Sequence, residues 1–344
     1  MEPLPVMLAE RVPLPDVLLR AGIRARVRAR VRQEERGGVD AWSDRFRDLV
    51  ARLDAQQVAL SPEAANAQHY EVPADFFGLV LGPHRKYSCA LWAPGVGDLA
   101  GAEEAMLETY ARRARLEDGQ DVLDLGCGWG SLTLWLAARH PRSRILAVSN
   151  STSQRLHIEA TAAARGLGNV EVVTADANTF APGRRFDRIV SVEMLEHVRN
   201  QRAMLGRIAD WLRPEGLLFV HVFSHRHVAF EFDAGRRSDW IARHFFTGGT
   251  MPSDDLLPLL AEHMRLADHW RVSGTHYART ARAWLENLDA RRAEVAAVLR
   301  TAYGPGEVAL RMRRWRLFFL ACEGLWGFCG GREFIVSHYL FRPA

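Results

Sequence analysis

The chain has 344 residues and 45 basic side chains, yet Lys86 is its only lysine. The other basic residues are arginine, a bias of composition rather than of chemistry. Net charge is only +4, too mild to argue for a nucleic-acid partner. Cysteine is sparse too. Cys89, Cys127, Cys322 and Cys329 lie far apart without C-x-x-C spacing, which argues against a zinc site or a disulfide framework and suits a reducing compartment. No segment reaches the ~18 consecutive apolar residues of a membrane span, and no apolar signal core opens the chain. Internal repeats and low-complexity tracts are missing as well. With 48% hydrophobic and 25% charged residues, the composition is that of an ordinary globular protein. The expectation is a cytoplasmic protein with no resident metal; nothing in the pattern sets an oligomeric state.

What is present centres on Asp121-Val-Leu-Asp-Leu-Gly-Cys-Gly-Trp-Gly130. Apolar residues run into a glycine cluster, and good helix formers follow from Ser131 to Arg139. That is a buried parallel strand, a tight loop and a helix, the nucleotide-binding half of a doubly wound sheet. The loop reads G-x-G-x-G, with Ser131 where a dinucleotide fingerprint has its third glycine. The following strand, Ile145–Val148, ends in Ser149-Asn150 without the ribose-binding acid such a fingerprint expects. Both departures disfavour a nicotinamide cofactor.

Strand-like and helix-like runs alternate around this unit. The strands are Asp121–Leu125, Arg144–Val148, Val170–Thr174, Arg188–Val192 and Leu217–Phe223; Leu132–Arg139, Gln154–Arg165 and Arg202–Leu212 have helical spacing between them. This order predicts a parallel sheet with helices on both faces. A closing segment, Glu333–Phe341, alternates as a last, antiparallel strand. Residues 1–75 read as a helical extension and pocket cover, and 76–344 as the catalytic domain, with substrate-lid insertions at about 224–265 and 280–330. Leu18, Leu19, Ile23, Val27 and Val31 make an apolar stripe with Arg20, Arg24, Arg26, Arg28, Arg30 and Arg32 at the other positions. Such a helix could lie on an anionic membrane; a core-facing stripe with a solvated arginine face is the simpler expectation. A second helix is expected from Ala41 to about Asp54, and a break at Ser61-Pro62.

Several further motifs fall in a particular order: Asn66-Ala-Gln-His-Tyr-Glu71, Tyr87-Ser-Cys89, the glycine loop, Val148-Ser-Asn-Ser-Thr-Ser-Gln154, Ala175-Asp176, Glu193-Met-Leu-Glu196-His197, His276-Tyr277 with Thr280 and Trp284, and Ser337-His338. With these the chain resembles the cyclopropane fatty acid synthase superfamily of S-adenosylmethionine (SAM) enzymes, and within it the coclaurine N-methyltransferase-like branch. The resemblance runs from about Asn66 to Phe341. It implies an α/β class I SAM-dependent methyltransferase fold, Rossmann-like, with a seven-stranded sheet whose last strand is antiparallel.

The resemblance also implies the sites. Tyr87, Ser88 and the backbone at Gly126, Gly128 and Gly130 would meet the methionine end of SAM. Ser149, Ser151 and Gln154 would serve the ribose, and Asp176 with Ala177 the adenine. Asp124 either joins them or only fixes the loop. Glu193, Glu196 and His197 leave a strand C-terminus, where ligands bind in open α/β sheets; on a helix, Glu193 and His197 would be i,i+4 neighbours over one pocket.

Two reactions fit. In one, a small amine loses a proton and is N-methylated; His197, with an unperturbed pKa of about 6.5, can take a proton near neutrality. In the other, an unsaturated lipid acyl chain is the acceptor and a bound bicarbonate is the base. The synthases hold bicarbonate with Cys, Glu, His and Tyr, and the matching positions here are Cys89, Glu196, His221 and Tyr277. The amine reaction is the leading expectation. Cys89 and His221 could equally be core residues.

Overall fold

The computed structural model describes residues 4–59, 72–236 and 239–344. The break at Ser61-Pro62 and the motif Asn66–Glu71 lie outside the described residues. Seven strands form one sheet in the order β3-β2-β1-β4-β5-β9-β8. They are β1 (Asp121–Leu125), β2 (Arg144–Ser149), β3 (Val170–Thr174), β4 (Phe186–Val192), β5 (Leu212–His225), β8 (Met264–Val272) and β9 (Phe334–Pro343). Pairing is parallel from β3 to β5, and β9 runs antiparallel to both β5 and β8. The expected seven-stranded sheet with an antiparallel final strand is therefore found. All five residues of β1 are buried, as expected of a central parallel strand covered on both faces.

The five expected parallel strands fall where the pattern put them, but β8 is new. Its interior is mostly exposed and carries Arg265, Asp268, His269 and Arg271. A charged edge strand shows no apolar alternation, so the chain re-enters the sheet at Met264 inside the stretch read as a lid. The remainder of that stretch holds a short ladder between β6 (Phe230–Glu231) and β7 (Thr250–Met251).

One sheet face is covered by α4 (Ala74–Val80), α5 (Leu99–Arg113), α6 (Ser131–Arg139) and a late helical group, α11 (Gly274–Ala290), α12 (Arg292–Tyr303) and α13 (Val308–Trp326). The other face packs against α3 (Gly38–Asp54), α8 (Gln201–Trp211) and α10 (Leu256–Leu260). Between β2 and β3 runs α7 (Thr152–Ala164), and α9 (Trp240–His244) lies after β6.

The N-terminal helices are α1 (Leu4–Arg11) and α2 (Asp16–Glu34). Val27 and Val31 of α2 are buried, Leu19 and Ile23 pack against the same cluster, and Leu18 is exposed. A Cβ at Gly324 of α13 would lie 2.5 Å from Ile23, so glycine lets α2 approach closely. Arg20 pairs with Glu323 at 3.0 Å and Arg316 with Asp16 at 3.2 Å. The stripe is thus spent on α13, while Arg24, Arg26, Arg28 and Arg32 are exposed. No helix of the described residues is long and apolar enough to cross a membrane.

Candidate active site

β4 ends in Val192, and the next residue, Glu193, has φ +48°. A non-glycine residue in the left-handed region costs roughly 1–2 kcal/mol, and such strain gathers at functional sites. The backbone is pinned there by a Glu193 N–H donating to the His221 carbonyl at 2.8 Å. This twist turns the carboxylate into a cluster of donors. Oε1 accepts from the Cys89 backbone N–H at 2.9 Å and lies 3.1 Å from His221 Nε2; Oε2 accepts from the Tyr277 hydroxyl at 2.6 Å. Burial raises the Glu193 carboxyl above its ordinary value, opposed by the Lys86 ammonium and the hydrogen bonds from Tyr277 and Cys89.

This changes the expected anion set. Cys89, His221 and Tyr277 do converge, but on Glu193 rather than around a vacancy that Glu196 completes. The Cys89 thiol itself is buried, donates to the Ala90 carbonyl at 3.3 Å, and is held protonated by burial and by Glu193. Glu196 is fully buried in the middle of a 3-10 turn, Leu195–His197. Its Oε1 accepts from the Phe223 N–H at 2.7 Å, and its Oε2 has no hydrogen-bond partner among the described residues. Burial, then repulsion from Glu193, pushes its carboxyl well above the ordinary value. Neither Glu196 nor His197 caps a helix, since Asn200 caps α8 by accepting from Ala203 N at 2.9 Å.

His197 lines the same cleft as Glu193, although the turn between them is 3-10 rather than α. Burial lowers its pKa to about 4, with Glu193 opposing. The expected titration near neutrality is therefore corrected: His197 is a neutral imidazole at pH 7. Its ring packs on Phe246 at 4.4 Å, and Phe246 in turn meets Phe223 at 5.5 Å. Tyr277 stacks on Trp326 at 4.8 Å.

The cleft runs along the C-terminal ends of β1, β2, β3 and β4. Gly126, Gly128, Ser149, Gln154, Asp176 and Ala177 line it, together with Glu193 and His197. Gly128 has φ +53° and nothing within 4 Å of where a Cβ would stand, so bare backbone faces the space. The Ser149 hydroxyl donates to Gln154 Oε1 at 2.6 Å. The other expected contacts stand behind the lining. Asp124 is buried, accepts from the Thr133 hydroxyl of α6 at 2.6 Å and is raised to about 6 by burial. Gly130 has φ +80°, and a Cβ there would strike Ile158 at 2.6 Å. Ser151 caps α7, Ser88 accepts from Lys86, and the Tyr87 ring packs on Phe77 and Trp284 at 5.1 and 5.5 Å. A mainly apolar cleft lined by glycine backbone, the Ser149 hydroxyl and the Asp176 and Glu193 carboxyl groups fits a nucleoside that carries a cationic sulfonium.

The profile of the mycolic acid cyclopropane synthetase family matches residues 59–327. The chain belongs to that family. It is 37% identical to (S)-coclaurine N-methyltransferase of Thalictrum flavum subsp. glaucum over 299 residues, which are 86% of this chain and 83% of that one. It is 29% identical to cyclopropane-fatty-acyl-phospholipid synthase of Escherichia coli strain K12 over 257 residues, 74% of this chain and 64% of that one. The crystal structure of coclaurine N-methyltransferase bound to N-methylheliamine and SAH matches with a TM-score of 0.94 at 32% identity, over 98% of both chains. The protein is a SAM-dependent methyltransferase.

Three features of this methyltransferase escaped the sequence reading. Lys86 is buried, donates to Ser88, lies 4.9 Å over the Tyr110 ring and is lowered to about 8 by burial. The Tyr110 hydroxyl lies 2.9 Å from His221 Nδ1. The segment after α3 is laced down beside the cleft: Asn178 bonds both the N–H and the carbonyl of Ala59, at 2.9 and 3.0 Å, and Asn200 reaches the carbonyls of Asp54 and Gln56. A lone lysine or tyrosine carries no periodic signal; only the fold puts them beside the carboxylate.

Proposed function

We propose that this methyltransferase methylates the nitrogen of a small amine, with Glu193 as the base. The carrying observation is the Glu193 carboxylate, fixed by three donors in the cleft that His197 also lines. SAM, when bound, supplies an electrophilic methyl on a sulfonium. Gly126, Gly128, Ser149, Gln154, Asp176 and Ala177 would hold it. An alkylammonium has no lone pair, so its proton must leave before nitrogen can attack. Glu193, with a pKa raised toward the working pH, is better matched to that proton than an imidazole lowered to about 4. Neutral His197 orients the amine, and the Phe223, Phe246 and Trp326 rings offer an aromatic wall to a cation or an aromatic ring.

In this reading residues 76–344 carry both sites, and residues 1–75 with the stretches at about 224–265 and 280–330 cover them. The relative acting on coclaurine supports an amine acceptor. A lipid acyl acceptor needs a bicarbonate to take the place of the Glu193 carboxylate among Cys89, His221 and Tyr277, which counts against it.

The test is product profiling by mass spectrometry with isotope-labelled SAM and mixed amines and unsaturated phospholipids in one preparation. Label in amines is expected. Label only in acyl chains would overturn the reading.

A further inference from the structure

A line of hydrogen bonds enters Glu193 from the side away from the cleft. His221 and His338 are directly opposed across the β5–β9 ladder, and both are fully buried. The Arg113 guanidinium at the end of α5 lies 2.6 Å from His338 Nδ1. His338 Nε2 lies 2.8 Å from His221 Nδ1, and His221 Nε2 lies 3.1 Å from Glu193 Oε1.

The direction of this line follows from its first member. A guanidinium only donates, so His338 Nδ1 accepts and its proton sits on Nε2. That proton is donated to His221 Nδ1, which leaves the His221 proton on Nε2, facing the carboxylate. The Tyr110 hydroxyl also touches His221 Nδ1 at 2.9 Å, but a hydroxyl rotates to suit either tautomer and fixes nothing. The surrounding charges favour neutral imidazoles. Burial lowers both histidines well below the ordinary value, helped by Lys86 and Arg113 on each and by His269 beside His338. Around Glu193 itself stand Lys86, Glu196 and His197.

We propose that Arg113 and His338 are positioning residues, which act through His221 by fixing its Nε2–H tautomer so that a proton always points at Glu193 Oε1. The proposal rests on Glu193 being the working carboxylate. It has a second consequence. Since His221 Nε2 already holds a proton, it cannot take the one that Glu193 collects from an acceptor. The collected proton leaves on the cleft side, past His197.

Nitrogen-15 NMR of imidazole-labelled protein tests the tautomers without any substrate. In the unaltered enzyme His221 and His338 should both show a protonated Nε2 and an unprotonated Nδ1. Arg113→Met should give mixed tautomers and lower kcat on the order of tenfold through loss of alignment, with KM and S-adenosylhomocysteine affinity unchanged. Arg113→Lys, still a donor, should recover most of the rate. A protonated Nδ1 on either histidine of the unaltered enzyme overturns the proposal, as does Arg113→Met with full kcat. If Arg113→Met does not fold, the unaltered spectrum still decides. A failure to methylate any amine would strike the assigned reaction and leave the tautomer result standing.

Discussion

The Tyr277 hydroxyl donates to Glu193 Oε2 at 2.6 Å, which ties α11 to the end of β4. A hydrogen bond to a charged group is worth about 1.5–3 kcal/mol. Tyr277→Phe should therefore lower kcat by on the order of ten- to a hundredfold, and Glu193→Gln by more. Calorimetry with S-adenosylhomocysteine should read unchanged affinity in Tyr277→Phe. A Tyr277→Phe enzyme with native kcat would remove Glu193 from the chemistry.

The pH profile should carry a carboxylate's acid limb. Glu193 must be ionised to accept a proton, and its pKa lies above the ordinary value, so activity falls with pH at a point above the usual glutamate range. Lys86 holds that pKa down. Lys86→Met should consequently move the acid limb of kcat/KM to higher pH. His197→Asn should lower the rate and move the limb only slightly upward, because His197 is the smallest of the influences that hold the Glu193 pKa down. Loss of the limb in His197→Asn would make the imidazole the base.

Glu196 should tolerate an amide. Its carboxyl is buried, pushed well above its ordinary pKa, and accepts from Phe223 N–H at 2.7 Å. Gln has the shape of that carboxyl group and keeps the acceptor. Glu196→Gln should retain melting temperature and most of kcat, whereas Glu196→Ala should lose about 1–3 kcal/mol by orphaning the Phe223 N–H. Parallel thermal melts and rates would show it; a dead but folded Glu196→Gln would return this residue to the chemistry.

Removal of bicarbonate should not matter. The Cys89 N–H, His221 and Tyr277 already serve Glu193, and Cys89→Ala keeps the backbone donor. Rates in carbonate-free buffer and in the Cys89→Ala enzyme should stay within a few-fold of the reference. Collapse without bicarbonate and recovery on its addition would make the protein a lipid-modifying enzyme.

Deletion of residues 1–35 should cost stability rather than membrane attachment. Val27 and Val31 are buried in the main core cluster with α13, and burying such a side chain is worth about 1.5–3 kcal/mol. A lower melting temperature is expected, with no salt-sensitive flotation on anionic liposomes before or after. Strong flotation abolished by the deletion would contradict the packing.

The parallel half of the sheet was legible because buried parallel strands are apolar along their whole length and end in turn residues. The antiparallel β9 showed through its alternation. β8 did not, because an edge strand with Arg265, Asp268 and Arg271 looks like a loop. At the site, the residue types were readable but their partners were not. Glu193 and Glu196 sit three apart, and the left-handed backbone at Glu193 just before the 3-10 turn, which residue spacing does not encode, aims the Glu193 carboxylate. Cys89, His221 and Tyr277 come from three separate elements, and their meeting on Glu193 is a property of the tertiary fold. The His197 pKa depends on burial, which local spacing does not encode.

The burial of Lys86 has a practical side. With 2% of its surface exposed and no other lysine in the chain, the folded protein shows amine-directed reagents no lysine side chain. Lys86 becomes reactive only when the interior around Glu193 opens. Acylation of Lys86, told apart from that of the N-terminal amine by peptide mass, then reports how often that interior opens, and ligands that hold the cleft shut should slow the labelling in proportion.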